Sequence, residues 1–151
     1  MLHLALWEPE IPPNTGNIGR LCAATGTRLH LVGRLGFRLD DRDLKRAGCD
    51  YWPFLDVQFH DSVEALEAVL PNARLFCLSA HATNSYTQAP YRDGDCLLFG
   101  SESRGLPPSV LERHAETAFV IPMPTGKVRS LNLATAAGIV LYEALRQVHR
   151  W

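Results

Sequence analysis

The sequence predicts an α/β domain with a mostly parallel sheet that is flanked by helices. Short apolar runs alternate with helical patterns along the chain. The runs are rich in Leu, Val, Ile and Phe, as expected for strands that are covered on both faces. A length of 151 residues, 46% of them hydrophobic, suits a single domain spanning 1–151 with a real core, and excludes disordered and collagen-like classes.

Six apolar runs are predicted as strands, and turn or capping residues bound them. They cover residues 2–7, 29–32, 55–59, 75–79, 96–100 and 118–121. They are short and alternate with predicted helices, which is the pattern of an open α/β sheet. An open sheet with helices on both sides is therefore expected.

The first two predicted helices are defined by their ends. Asn14 is predicted to cap a helix that stops at Gly26, which suits the left-handed position after a helix. Asp40 or Asp41 is predicted to begin a short helix that ends near Gly48.

Three further helices are predicted in the C-terminal part of the chain. They cover residues 62–70, 107–114 and 131–149. Asp61 and Glu64 form a capping-box-like start for the first, and Pro107 with Pro108 suits the first turn of the second.

The last predicted helix is apolar on almost every face through its first three turns. Such a helix must be covered on more than one side. The small residues Ala134, Ala137 and Gly138 would allow another helix to approach closely. Two arrangements remain open: a second subunit covers the outer face, or the helix is sunk in its own core.

Charge and composition limit the kind of partner and the compartment. A formal net charge of -1 excludes binding of nucleic acid by bulk positive charge, so any such site needs local clustering. The cysteines lack CxxC spacing, so no zinc site is expected. Glu8 and Glu10 interrupt the N-terminal apolar run too early for a signal peptide, and no run reaches the ~20 residues of a membrane span. A cytoplasmic protein without a membrane segment is expected.

The first loop with chemical potential is PPNTGNIGR at residues 12–20. Gly16 and Gly19 leave the first turn of the helix bare, with room for a phosphate or a ribose near its N-terminus. Arg20 lies on this helix near the opening. The alternative is a capped helix that carries a surface arginine.

Two more polar loops follow predicted strands, at the sheet edge where α/β proteins bind ligands. Residues 100–105 have the glycine spacing of a P-loop, but Leu106 and Pro107 replace its Lys-Ser/Thr, which excludes an NTPase. In the third loop Ser130 is predicted to cap the last helix. Asn132 places an amide on the buried face of that helix, where it needs a partner. GxGxxG, HExxH and GxSxG are missing from the sequence, so dinucleotide, zincin and serine-hydrolase sites are excluded.

Together, PPNTGNIGRL, LLFGSESRGLP and IPM…RSLNL resemble the three motifs of SPOUT-type RNA ribose 2′-O-methyltransferases. The stretches GFRLDD, RAGCDY and YEALRQ resemble the minimal TrmL (YibK) type, which modifies the tRNA wobble position. The resemblance runs in order over essentially the whole chain. It implies a C-terminal trefoil knot, a homodimer formed through the last helix, S-adenosyl-L-methionine as methyl donor with S-adenosyl-L-homocysteine as product, and no metal.

The resemblance also implies which residues act. The cofactor pocket would be lined by Leu78, Gly100, Ile121 and Ser130. The catalytic group would comprise Arg20, Asn14, Glu102, Ser130 and Asn132. Contacts to the tRNA anticodon stem-loop would come from Lys127, Arg129, Arg38, Arg46 and Tyr142.

Arg20 is the residue to which the resemblance gives a catalytic role. A guanidinium with a pKa above ~12 is a poor general base. Arg20 is therefore expected to grip the phosphate beside the target ribose and to stabilise the developing alkoxide.

Three functions remain open at this point. The first is 2′-O-methylation of the wobble cytidine or modified uridine of leucine tRNAs. The second keeps the chemistry but moves it to another tRNA position or to rRNA. The third is a non-catalytic nucleotide- or RNA-binding α/β module in which Arg20 and Glu102 are structural.

Overall fold

The computed structural model describes residues 1–38 and 52–151. The strands are β1 His3–Trp7, β2 Arg28–Val32, β3 Val57–His60, β4 Leu75–Leu78, β5 Cys96–Phe99 and β6 Ala118–Phe119. The α-helices in these ranges are α1 Pro12–Thr25, α2 Val63–Val69, α3 Pro108–Arg113 and α4 Leu133–His149. Short 3-10 helices cover Trp52–Phe54, Tyr86–Gln88 and Ala115–Thr117.

All six predicted strands are present and form one parallel sheet in the order β3-β2-β1-β5-β4-β6. The connection after β1 leads to β2 on one side, whereas the connection after β5 leads to β6 on the other. The two loops therefore diverge at the carboxyl ends of adjacent central strands. Such a switch point leaves a crevice where α/β sheets bind ligands.

The predicted cap of α1 is wrong. The helix begins at Pro12 and its N-cap is Ile11, whose side chain makes no capping bond. Asn14 lies inside the first turn. The two prolines at the start have no N–H group, so a side-chain acceptor is less needed there, and the Asn14 amide is left for other contacts.

The predicted cap of α4 is also wrong. The helix begins at Leu133, and its N-cap is Asn132 rather than Ser130. The Asn132 Oδ1 atom accepts hydrogen bonds from the backbone N–H groups of Ala134, at 2.9 Å, and Thr135, at 3.2 Å. The first turn of a helix leaves such donors unpaired, so the asparagine satisfies them.

The other predicted helices have three different outcomes. The helix that begins at consecutive prolines is present as α3. In α2 the cap is Ser62, whose side chain accepts from the Ala65 N–H, rather than Asp61. The predicted helix that Asp40 or Asp41 would begin lies outside the described residues.

Helices cover both faces of the sheet, as predicted. On one face α1 and α4 pack against the sheet through a cluster that includes Leu4, Ile18 and Leu141. On the other face α2 and α3 pack through a cluster that includes Leu66 and Val110. The sheet therefore has a separate hydrophobic core on each face, and the two cores together fix the positions of the strand ends.

Helix α4 is buried on one face only. Leu133, Ala137 and Val140 are buried, whereas Thr135 and Tyr142 on the opposite face are exposed. Of the two arrangements predicted for this helix, burial within the core of its own chain is therefore wrong.

None of the helices in the described ranges is long and apolar enough to cross a membrane.

Candidate functional site

A cavity of about 860 Å³ lies at the carboxyl edge of the sheet. Its walls come from the residues that follow β4, β5 and β6 and from those that lead into α4. The four residues predicted to line a cofactor pocket all line this cavity: Leu78, Gly100, Ile121 and Ser130. Its volume is within the range of small-ligand sites in proteins.

Gly100 is required by the chain's own backbone. A Cβ atom at this position would lie 2.1 Å from the Gly105 carbonyl carbon and 2.3 Å from the Leu106 nitrogen. The loop after β5 closes on itself, since the Gly105 N–H donates to the Ser101 carbonyl at 2.9 Å. The glycine thus permits a tight turn that forms one wall of the cavity.

Glu102 binds this turn to the loop that follows β1. Its Oε1 atom accepts from the Glu10 N–H at 2.9 Å. Its Oε2 atom accepts from the Ile11 N–H at 2.8 Å and from the Asn14 side-chain amide at 3.2 Å. Both carboxylate oxygens are therefore occupied by hydrogen-bond donors, which fixes the orientation of the group.

Asn14 extends the contact to the third loop. The Asn132 Nδ2 atom donates to the Asn14 Oδ1 atom at 3.0 Å, across 118 positions of sequence. Asn132 is exposed rather than on the buried face predicted for it, although it does find a partner. We call this chain of contacts the Glu102–Asn14–Asn132 network, and all three residues line the cavity.

Arg20 is the member of the predicted catalytic group that the structure places outside the cavity lining. It is exposed and does not line the cavity. On α1 it lies on an exposed stripe with Pro13, Asn17 and Ala24, whereas Asn14 is buried. Four of the five residues predicted to be catalytic therefore line one cavity, and Arg20 does not. The four are Asn14, Glu102, Ser130 and Asn132.

The predicted RNA-binding residues are dispersed. Arg129 is exposed and lines the cavity. Lys127, Arg38 and Tyr142 are exposed and lie outside its lining. Arg46 lies outside the described residues.

The sequence analysis missed the pair Glu10 and Ser103. The Glu10 Oε1 atom accepts from the Ser103 N–H at 3.0 Å and from its hydroxyl at 2.6 Å. These hydrogen bonds from Ser103 are the main reason that the pKa of Glu10 is lowered. A carboxylate placed between a strand end and Pro12–Pro13 was the available signal.

A second contact between the same two loops involves Glu8 and Arg104. The Arg104 guanidinium donates to the Glu8 Oε1 atom at 3.1 Å and lies 4.9 Å above the centre of the Trp7 ring system. The loop after β5 is therefore held to the end of β1 at two points besides Glu102.

The cavity lining combines apolar side chains, such as Leu78 and Leu133, with polar and charged ones, such as Glu102 and Arg129. Such an arrangement can hold a flat heterocycle against its apolar side while orienting a polar substituent. Among residues 1–38 and 52–151, no group of three or more His, Cys, Asp or Glu side chains is placed to hold a metal ion.

Comparison with known proteins gives a consistent result. The sequence profile described as the SpoU rRNA Methylase family matches residues 1–142. A relative from Escherichia coli (strain K12), the "tRNA (cytidine(34)-2'-O)-methyltransferase", is 51% identical over 150 residues, covering 98% of this chain and 94% of the relative.

Solved structures agree with the sequence relatives. A structure described as "Structural insights into the 2-OH methylation of C/U34 on tRNA" is 53% identical, with a TM-score of 0.93 over 100% of this chain and 98% of the other. An "AdoMet bound rRNA methyltransferase from Sinorhizobium meliloti" is 28% identical, with a TM-score of 0.84 over 96% of this chain and 56% of the other.

Proposed function

This chain belongs to the SpoU rRNA methylase family, and we propose that it methylates the ribose 2′-hydroxyl of the wobble nucleotide in tRNA. The substrates would be the wobble cytidine or modified uridine of leucine tRNAs. One observation supports this most: the Glu102–Asn14–Asn132 network joins the three motif loops around one cavity, in a chain that is 51% identical to a cytidine(34) ribose methyltransferase.

The cavity suits S-adenosyl-L-methionine as the methyl donor. Leu78, Ile121 and Leu133 offer apolar surface to an adenine ring, and the turn from Gly100 to Gly105 offers backbone groups. When bound, the cofactor supplies a methyl group on a good leaving group and departs as S-adenosyl-L-homocysteine. We expect no metal requirement for this reason.

Glu102 orients the site rather than taking a proton. Both of its oxygens already accept hydrogen bonds from Glu10, Ile11 and Asn14, so the orientation of its carboxylate is fixed. With Asn14 and Asn132 it keeps the three loops in register around the reacting groups, and Ser130 completes the wall beside them. Positioning of this kind supplies much of the rate in a displacement reaction.

We assign Arg20 to the RNA side of the reaction. Its guanidinium would bind the phosphate next to the target ribose and stabilise the charge that develops on the 2′-oxygen. Since it is exposed and outside the cavity lining of its own chain, we infer that it serves the cavity of a second copy.

We infer that this second copy packs against α4. The face with Thr135 and Tyr142 is exposed beside Gly138 and Ile139, and small residues allow close helix approach. The tRNA anticodon stem-loop would then lie across both subunits. Its contacts would come from Lys127, Arg129, Arg38, Arg46 and Tyr142.

The family also supports a C-terminal trefoil knot, which is rare among proteins. We infer that the chain after β6 threads beneath the segment between β4 and β5. The contacts of that passage support it: the Tyr86 N–H donates to the Val120 carbonyl, and the Tyr91 N–H donates to Gln147 of α4. When both termini are pulled in an optical trap, the unfolded chain should have a shorter contour length than an unknotted chain of 151 residues.

We further infer that the whole chain acts as one domain and works in the cytoplasm, where tRNA is modified. Both inferences follow from the single sheet and from the substrate class. Fractionation of cells that express a tagged copy, with tRNA as the marker, tests the location.

The direct test is methyl transfer from tritiated S-adenosyl-L-methionine to purified leucine tRNA, followed by mass spectrometry of the wobble nucleoside. The native protein should form 2′-O-methylated cytidine or uridine at that position. Arg20→Ala should abolish turnover and leave cofactor affinity near normal. A comparable loss of cofactor affinity would contradict the assignment of Arg20 to the RNA.

A second candidate keeps the reaction and changes the RNA. The family profile is named for rRNA, and a structurally similar protein is an rRNA methyltransferase. Nucleoside mass spectrometry of a deletion strain separates the candidates. Loss at the wobble position supports the proposal, loss at another tRNA position or in rRNA supports the second candidate, and no loss indicates a non-catalytic binding module.

A further inference from the structure

We propose that Glu10 is a positioning residue for the methyl-transfer site, a role that rests on the proposed function. Glu10 lies in the loop after β1 and does not line the cavity. It acts through Ser103 and Glu102, which do line it. The contacts are reciprocal: the Glu10 carboxylate accepts from the backbone of Ser103, and the Glu102 carboxylate accepts from the backbone of Glu10.

The reciprocity is explicit in the hydrogen bonds. The side chain of Glu10 accepts two bonds from Ser103, at 3.0 Å and 2.6 Å. The backbone N–H of the same Glu10 donates to the Glu102 carboxylate at 2.9 Å. Glu10 therefore contacts both Glu102, through its backbone N–H, and Ser103, through its carboxylate.

The position of the loop as a whole depends on other contacts. The turn closes on itself between Ser101 and Gly105, and Arg104 is bound to Glu8. The turn should therefore survive the loss of Glu10. What the Glu10 side chain adds is the placement of Ser103, the residue next to the Glu102 whose carboxylate holds Asn14.

This division predicts a kinetic signature. Leu78, Ile121 and Leu133 line the cavity from elements other than the two loops that Glu10 joins, and they would remain in place without its side chain. From the two loops themselves, Ile11 and the turn at Gly100 also contribute to the lining. Loss of Glu10 should therefore lower kcat more than it raises the KM for the cofactor. A misplacement of about 1 Å can cost on the order of a hundredfold in rate, so we expect kcat to fall between about tenfold and a hundredfold.

The experiment compares Glu10→Gln, Glu10→Ala, Ser103→Ala and Ser103→Thr in steady-state methyl transfer to tRNA, with the melting temperature of each variant measured in parallel. Ser103→Thr keeps the hydroxyl and should retain activity. Ser103→Ala should lose part of it. Glu10→Ala combined with Ser103→Ala should fall no further than Glu10→Ala alone, because both changes break the same contact.

Glu8→Gln is the matched control, because it weakens the neighbouring contact of the same turn with Arg104. It should lower kcat far less than Glu10→Gln. Equal losses in the two variants, additive losses for Glu10 and Ser103, or wild-type kcat in Glu10→Ala would each overturn the proposal. If Glu10→Ala fails to fold, Glu10→Gln and the two Ser103 variants still decide it.

The failure of the proposed function would look different. In that case the native protein itself would transfer no methyl group to tRNA. The role of Glu10 is judged only against an active native enzyme, so the two outcomes are separable.

Discussion

This protein has two polar networks, and they differ in their place relative to the sheet. The Glu102–Asn14–Asn132 network lies at the carboxyl edge and lines the cavity. A row of three histidines, His3, His30 and His60, crosses β1, β2 and β3 and lies outside the lining of that cavity.

Burial lowers the pKa of each histidine in this row, which favours neutral rings near pH 7. His3 Nδ1 lies 3.0 Å from His30 Nε2, and His30 Nδ1 lies 2.9 Å from His60 Nε2. His30 is fully buried. Burial, followed by the neighbouring His3 and His60 and by Arg28, lowers the pKa of His30 to about 3. A neutral ring has one donor and one acceptor, so the row can pass its hydrogen bonds in a single direction.

The contrast shows that a strongly shifted pKa does not by itself mark a functional site. Perturbed titration is a known pointer to catalytic groups, but structural networks perturb pKa values as well. Here the large shift of His30 accompanies burial within the sheet. The network at the cavity is distinguished instead by its place at diverging strand ends and by the three loops that it joins.

The largest effect in this comparison of the two networks is expected from Gly100→Ala, which alters the wall of the cavity. The added Cβ atom would clash with backbone at 2.1 Å, so the turn of residues 101–105 must move. We expect loss of cofactor binding in calorimetry and a drop in the free energy of unfolding of about 3 kcal/mol, the upper end for overpacking. Wild-type cofactor affinity would show that the turn is not part of the binding wall.

A smaller change at the network itself is Glu102→Gln. The amide that replaces Oε2 would present its own N–H groups to the N–H of Ile11 and the amide of Asn14. We expect kcat/KM for methyl transfer to fall by about a hundredfold, since hydrogen bonds to charged groups are worth about 1.5–3 kcal/mol each.

The control for this change is Glu112→Gln, at an exposed position on α3. It should leave kcat/KM unchanged. If both variants were equally active, the carboxylate of Glu102 would not hold the site.

The histidine row is expected to make the free energy of unfolding depend on pH, without a direct effect on the cavity. The folded state keeps His30 neutral down to pH about 3, whereas the unfolded chain binds the proton below about 6.5. Stability is therefore full above pH 6.5 and falls as the pH decreases toward 3, by at most about 1.4 kcal/mol per pH unit for this proton.

Urea unfolding at several pH values between 7.5 and 4.5 measures this slope. The pKa values of His3 and His60 are also lowered, so these two residues increase the slope. The charged groups that act on His30 are Arg28, which lowers its pKa, and Asp56, which raises it. His30→Gln should be less stable at neutral pH and should show a shallower slope. An identical slope in the variant would refute the assignment to His30.

The smallest effect is expected on a surface that neither network touches. Gly138 lies within α4, and a Cβ atom there would meet no atom within 4 Å in the single chain. Gly138→Ala should therefore stabilise the isolated helix by about 0.5–1 kcal/mol. If a second copy packs on this face, sedimentation should show a weakened dimer. An unchanged dimer would place the interface elsewhere.

Much of the fold was predictable because its signals are local. All six strands lie within two residues of their predicted limits, since a run such as Leu75–Leu78 is apolar whatever it contacts. The positions of the three polar loops follow from the same local reasoning. The choice of Leu78, Gly100, Ile121 and Ser130 as pocket residues comes from the family resemblance instead, and all four line the cavity.

The helix caps were less predictable than the helices. Ile11 rather than Asn14 begins α1, and Asn132 rather than Ser130 begins α4. In both cases several polar residues near the start could serve. At α1 the Asn14 side chain is hydrogen-bonded to Glu102 and Asn132 rather than to the helix N-terminus. At α4 the Asn132 Oδ1 atom caps the helix while its Nδ2 atom contacts Asn14.

The amino-acid sequence alone therefore determined the strands, the helices and the set of loops that carry the chemistry. Tertiary structure alone decided how those loops grip one another: that Asn14 bonds to Asn132 across 118 positions, that Glu10 holds Ser103, and that Arg20 lies outside the cavity. The physical reason is that local pattern encodes burial and backbone geometry, whereas a hydrogen bond between distant loops depends on strand order and register.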